Sequence, residues 1–342
     1  MKATFLRSLS GAVRNNYSTQ LSPTSKLNRI VLTLTLAATC LFGLSLMTAA
    51  QALPLAGPNR PATVPADYVI TPFGYFHPSC VKHLAKGDVV RQDENAIGHA
   101  NGTSDNMQEC AHARYTADGE KVSGDEPAVQ PPTIGHSWIE YAGVKTTSAY
   151  KAISSEWNVP PAPSKNDGQT VYLFNGLEDS KDVDTILQPV LGWNSDYGSA
   201  WGIASWNCCT KGTVFEASPA PVSSGDLILG YTVATCTGTT TCSSWDVYTF
   251  DQTNGNSSEL LLTSNFGQTF NWAFGGVLEV YNIAQCGDYP GGGRTDFFEQ
   301  YLYDDNGVQI AKPAWKISNV SSGLTPQCGY GGKLPEEVIL NY

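Results

Sequence analysis

From Trp138 to the C-terminus the sequence is cut by Gly, Asn and Pro into short runs of strand-forming residues, none holding a helical period. Segments 145–159, 171–177, 185–191, 199–206, 226–235, 244–250, 259–263, 277–283, 297–303, 309–317 and 336–341 read as strands. About ten strands in roughly 200 residues suit two antiparallel sheets packed face to face, an all-β sandwich of the concanavalin or jelly-roll kind. Asp304-Asp305-Asn306-Gly307 reads as a hairpin turn and not as a calcium loop.

Two of these strands carry apolar residues on both faces. In 185–191, Ile186 and Val190 share one side with Gln188, while Leu187 and Leu191 take the other. An amide in that buried row costs roughly 1–3 kcal/mol unless its donors and acceptor are used. Gln188 therefore requires a polar partner inside the sheet or faces a cleft where a substrate supplies one. Glu279 is placed alike, mid-strand, with Val277 and Tyr281 on its own face and Leu278 and Val280 behind. Desolvation there raises a carboxyl pKa and suits it to acid or base work; the structural alternative is an inward charge guarding an edge strand.

Histidine narrows the chemistry further. All five histidines, His77, His83, His99, His112 and His136, precede the β region. Residues 137–342 alone therefore assemble neither a Ser-His or Cys-His nucleophile nor a histidine-ligated zinc, and they hold no Gly-rich phosphate loop opening a helix. An enzyme built on this region would work with carboxylates and would require no metal or cofactor.

Residues 1–52 carry Lys2, Arg7, Arg14, Lys26 and Arg29, no acidic side chain, the apolar run 30–47 and Ala50-Gln51-Ala52, the features of a secretory signal peptide with its cleavage site. Its loss removes five of 20 basic side chains and none of 31 acidic ones. The remainder is an acidic surface that repels nucleic acid and anionic lipid, so no nucleic-acid or membrane partner is expected after signal removal, and the chain is read as a secreted monomer. Of nine cysteines, Cys40 leaves with the signal, and an even set in a secreted chain favours disulfides. Cys80 with Cys110 and Cys236 with Cys242 are spaced to pair; adjacent Cys208 and Cys209 do not easily join each other. Residues 53–135 lack regular patterning and end in a Pro-rich linker, Pro127–Pro132. They are read as a separate N-terminal segment or prosegment, its histidines gaining charge as pH falls, before a sandwich domain over 136–342.

Several ordered motifs carry a family resemblance: Trp138 to Ala142, Glu156-Trp157-Asn158-Val159-Pro160, Asn175-Gly176-Leu177-Glu178, Ile186-Leu187-Gln188, Ala200-Trp201, Gly225-Asp226 and Val277-Leu278-Glu279. In these the chain resembles the eqolisins, glutamic peptidases first recognised in filamentous fungi. The resemblance implies a two-sheet β-sandwich, secretion, work in acid on polypeptide substrates, and a catalytic dyad matching Gln188 and Glu279. Glu279 would act as general base on a water and then as acid toward the leaving amine, while the Gln188 amide donates to the developing oxyanion. Glu178, Trp201 and Trp206 would line the substrate cleft. The run Gly202-Ile203-Ala204-Ser205-Trp206 departs from the more aromatic, acidic run of the fungal enzymes. Two other readings compete: a carbohydrate-binding sandwich stacking sugars on Trp193, Trp201 and Trp206, and a glycosidase pairing Glu279 with Glu178 or another carboxylate.

Overall fold

The structure, a computed structural model, describes residues 60–91, 95–122, 137–181, 185–209, 212–236, 242–319, 326–334 and 336–342. The expected signal peptide, the expected Pro127–Pro132 linker and residues 237–241 lie outside them. Eight short strands precede the main body among the described residues, four of which matter below: β1 (Val69–Thr71), β2 (Gly74–Phe76), β3 (Val81–Leu84) and β4 (Val89–Arg91). The body runs through β5 (Trp138–Lys145), β6 (Tyr150–Asn158), β7 (Thr170–Glu178), β8 (Ile186–Trp193), β9 (Trp201–Cys208), β10 (Val214–Ala217), β11 (Leu227–Ala234), β12 (Ser244–Asp251), β13 (Ser257–Ser264), β14 (Trp272–Tyr281), β15 (Arg294–Asp304), β16 (Lys316–Asn319) and β17 (Val338–Asn341).

Two large sheets form the sandwich. One follows the order β16-β5-β14-β7-β8-β9-β10-β3, and the other includes β17-β15-β6-β11-β12-β13-β4. Pairing is antiparallel throughout the body, whereas β3 and β4 join their sheets in parallel, to β10 and β13. Leu173, Leu177, Leu187, Leu191 and Leu278 meet Trp157, Ile228, Val247, Leu260 and Phe297 between the sheets. Every residue of β7, β8, β9 and β14 is buried. Strands covered on both faces read as continuous apolar runs, and this sheet is covered twice. Its inner face meets the second sheet; its outer face forms another apolar cluster with Val64, Tyr68, Tyr75, Phe76, Cys80 and Val81 of the N-terminal segment.

The segment's strands are two to four residues long, too short to stand out as a period in sequence. Its Cys80–Cys110 bond, and Cys236–Cys242 and Cys286–Cys328 in the body, close with Cα separations of 5.2, 5.6 and 5.6 Å. Cys208 and Cys209 are joined to each other, against the expectation from adjacency, across a cis peptide that sets their Cα atoms 3.1 Å apart. Two expected strands are each divided. Segment 145–159 breaks after Lys145, where the Thr146 N–H turns to the carbonyl of Asn271 and the Thr146 hydroxyl accepts from Ser148 N–H. Segment 309–317 breaks around Pro313, which has no N–H for a ladder. The Asp304–Gly307 turn forms as expected, with Gly307 at φ +71° and the Asp304 carboxylate accepting from Asn306 and Val308.

Candidate active site

Strand alternation puts Ile186, Gln188 and Val190 of β8 on the outer face, beside Tyr172 and Phe174 of β7 and Val277, Glu279 and Tyr281 of β14. Gln188 and Glu279, the two residues singled out by sequence, thus share one face. Register fixes their spacing. Glu279 pairs with Tyr172, which pairs with Gly192; Gln188 lies on the strand of Gly192, four residues earlier. Ladder spacing sets the two Cα atoms roughly 16 Å apart in a flat sheet, with Phe174, Gly176 and Val190 flooring the interval. Gly176 keeps that floor low: a Cβ there would stand 2.8 Å from the Leu187 carbonyl oxygen and 3.4 Å from Gln188 Cγ.

Both side chains are buried with unused polar atoms. Gln188 is 0% exposed, and neither Oε1 nor Nε2 has a hydrogen-bond partner. Glu279 accepts a 2.7 Å bond from the Tyr281 hydroxyl on Oε1, while Oε2 has none. Burial pushes the Glu279 carboxyl up to about 8, with Tyr281, Ser137 and Trp138 pulling the other way. Tyr281 stands two residues on along the same face, so strand alternation alone pairs it with Glu279. That parity is the sequence signal for Tyr281 as the partner of Glu279.

The expected cleft residues divide. Glu178 is on the outer face, opposite Ile186 and Trp272, one strand across and two residues along from Gln188. Its Oε2 is unpartnered, and burial holds its pKa well above the carboxylate range, opposed by Lys145, whose Nζ lies 3.7 Å over the Trp272 ring. Trp206 pairs with Gln188 across β8 and β9 and packs in the outer cluster. Trp201 does not join them: it lies between the sheets, its ring 5.4 Å from that of Trp193. Five positions, an odd number, separate Trp201 from Trp206, so one strand points them to opposite faces. Two acidic groups that sequence spacing did not indicate also reach this face, Glu216 on β10 opposite Trp206 and Asp196 from the loop after β8. Among the described residues no three His, Cys, Asp or Glu side chains converge to hold a metal ion.

The N-terminal segment lies on these residues. Phe73 meets Trp206 edge-on at 6.4 Å, and Tyr75 meets Tyr281 at 5.6 Å while donating to Asn282 Oδ1 at 3.0 Å. The Tyr172 hydroxyl donates to the Ile70 carbonyl at 3.4 Å. The turn between β1 and β2 therefore crosses the face from Tyr281 to Trp206.

No family model matches the chain, and no curated protein does. Among solved structures it is similar to scytalido-glutamic peptidase bound to a peptide-based transition state analog, with 16% identity and a TM-score of 0.44 over 61% of this chain and 100% of that one. A second is SCP-B, a member of the eqolisin family of peptidases in complex with the tripeptide Ala-Ile-His, with 16% identity and a TM-score of 0.43 over the same shares. A third is the enzymatically active domain of bacteriophage CBA120 tailspike protein 2, with 11% identity and a TM-score of 0.28 over 55% of this chain and 31% of that one. Similarity at this level assigns no activity.

Proposed function

We propose that the chain is the covered form of a secreted, acid-acting glutamic endopeptidase, with residues 53–135 as its prosegment and residues 136–342 as its catalytic sandwich. One observation carries this reading: an amide and a carboxyl, both buried with unspent hydrogen-bonding atoms, sit on one sheet face beneath a segment of the chain's own backbone. Such orphaned groups each cost about 1–3 kcal/mol, and a substrate in place of the cover would give them partners.

Glu279 then supplies the proton transfers, and Gln188 donates to the oxyanion from the far side of a peptide lying across Phe174 and Val190. Tyr281 fixes Oε1 of Glu279, and Oε2 is the oxygen that would take the proton of the attacking water. In the covered form a pKa of about 8 keeps Glu279 protonated and idle as a base at neutral and acidic pH. Hydration of the face after release lowers that pKa toward the acid range, where an ionised carboxylate abstracts a proton from water. Glu178 and Trp206 would contact the bound polypeptide.

Digestion of a denatured protein across acidic pH tests the reading, with wild type, Glu279→Gln, Gln188→Ala and Glu178→Gln compared after acid treatment. The first two variants should lose about 100-fold or more in kcat/KM, the range for removal of a base or an oxyanion donor. Equal cleavage by wild type and both variants would remove this dyad from the mechanism.

A further inference from the structure

The sheet carrying the candidate site ends in β3, a strand that belongs to the N-terminal segment. It adds to β10 in parallel, with Val81 opposite Val214, Lys82 opposite Phe215, His83 opposite Glu216 and Leu84 opposite Ala217. Its last carbonyl, that of Leu84, accepts from Ser218 N–H at 2.9 Å and from Ser218 Oγ at 3.0 Å. Val81 packs in the outer cluster and Leu84 in the core between the sheets. His83 shares the outer side with Val81 and brings Nδ1 to 2.7 Å from Glu216 Oε2, a side chain that is 2% exposed.

Glu216 belongs to the same cross-strand row as Trp206 and Gln188. At one end of this row is the amide with no hydrogen-bond partner, and at the other is a buried carboxylate that already has one, a basic side chain from the covering segment. Glu216 is pushed up by burial to about 7, with a hydrogen bond to Asp196 pulling the other way. Tyr172 and Tyr197 are the other titratable groups within reach of it. A buried carboxylate without a cation is costly, so removal of β3 leaves a vacant strand edge with a specific requirement.

We propose that the β10 edge is a docking subsite for the polypeptide substrate, which adds as a parallel strand in place of β3 and sets a Lys, Arg or His side chain against Glu216. The proposal rests on the peptidase reading and specifies its substrate: an extended segment with an apolar residue two positions before the cation and another directly after it, the pattern of Val81, His83 and Leu84. Backbone pairing supplies affinity and the alternate side chains supply selectivity, as in other strand-addition recognition.

Two measurements on the full chain decide it. Hydrogen exchange of the Val81–Leu84 amides, compared among wild type, His83→Lys, His83→Arg and His83→Leu, reads the cation requirement without catalysis and with Glu216 intact. The Lys and Arg variants should stay within about twofold of wild type, and the Leu variant should exchange about tenfold faster or more, the worth of a hydrogen bond to a charged group. Cleavage of a mixed peptide library by acid-treated wild type should show Lys, Arg and His enriched at one fixed distance from the scissile bond. Glu216→Gln should bring rates on those peptides down about tenfold, to those of neutral counterparts. Exchange that ignores charge at position 83, or cleavage with no cationic preference, overturns the subsite. If wild type cleaves nothing, the peptidase reading fails, and the exchange series alone then decides whether Glu216 selects a cation.

Discussion

At the residue scale burial raises the Glu279 carboxyl, and Tyr281 is the first of three groups, with Ser137 and Trp138, that oppose it. The Tyr281 hydroxyl donates to the ionised form and so opposes the burial that raises the Glu279 pKa to about 8. Tyr281→Phe removes that opposition and should raise the pKa by a further unit or so, read from the carboxyl stretch of Glu279 in difference infrared spectra against Glu279→Gln. No upward movement would mean that the hydroxyl does not bear on the carboxyl. The parity that pairs these residues was legible in the sequence, as was the row that Gln188 shares with Ile186 and Val190. The same rule separates Trp201 from Trp206; the fold buries Trp201 beside Trp193, and an aromatic residue in a strand belongs more often to a core than to a cleft.

At the scale of elements, the turn from β1 to β2 is held by one glycine. Gly74 has φ +115°, and a Cβ on it would lie 2.3 Å from the Tyr115 carbonyl oxygen, so no other residue fits without displacing backbone. Gly74→Ala should lift the turn from Tyr281 and Trp206 while leaving the sandwich folded. Limited proteolysis should then cut within 60–122 at least tenfold faster, the effect of about 1.4 kcal/mol or more on local opening. An unchanged cutting rate would show that the turn does not hold the cover in place. Short strands of this kind leave little trace in a sequence, because two or three residues establish no period. The parallel addition of β3 to β10 was likewise invisible, since it joins residues more than 130 positions apart.

For the whole molecule, the direction of the buried carboxyls sets a pH dependence. Glu279 is raised to about 8 and Glu140 and Glu216 to about 7, from an ordinary value of 4.5, with burial the first cause in each. A group whose folded pKa is raised contributes stability that is complete below its unfolded pKa and is lost as pH rises through the folded value. Through these three groups the folded chain should lose stability as pH rises from about 4.5 to 8, by roughly 5 kcal/mol or more in sum and a Tm fall of about 10 °C. Calorimetry across that range checks the sign, and a Tm that climbs with pH would contradict it. The histidines of the segment are engaged with it or with the sheet: His99 lies 3.2 Å from both Asp88 and Asp105, and the His77 and His112 rings stack at 3.6 Å.

The sequence by itself determined the all-β character, the side of the strand on which Gln188 and Glu279 each lie, and two of the disulfide pairs, because alternation and short loop spacing are local properties of a chain. Only the tertiary structure decided which strands adjoin, how far apart the two residues stand, that Cys208 joins Cys209, and that Val64, Tyr68, Tyr75, Phe76 and Val81 lie over the face they share. Those outcomes depend on register and on contacts between distant segments, where the free energy belongs to the packed pair and to neither stretch alone.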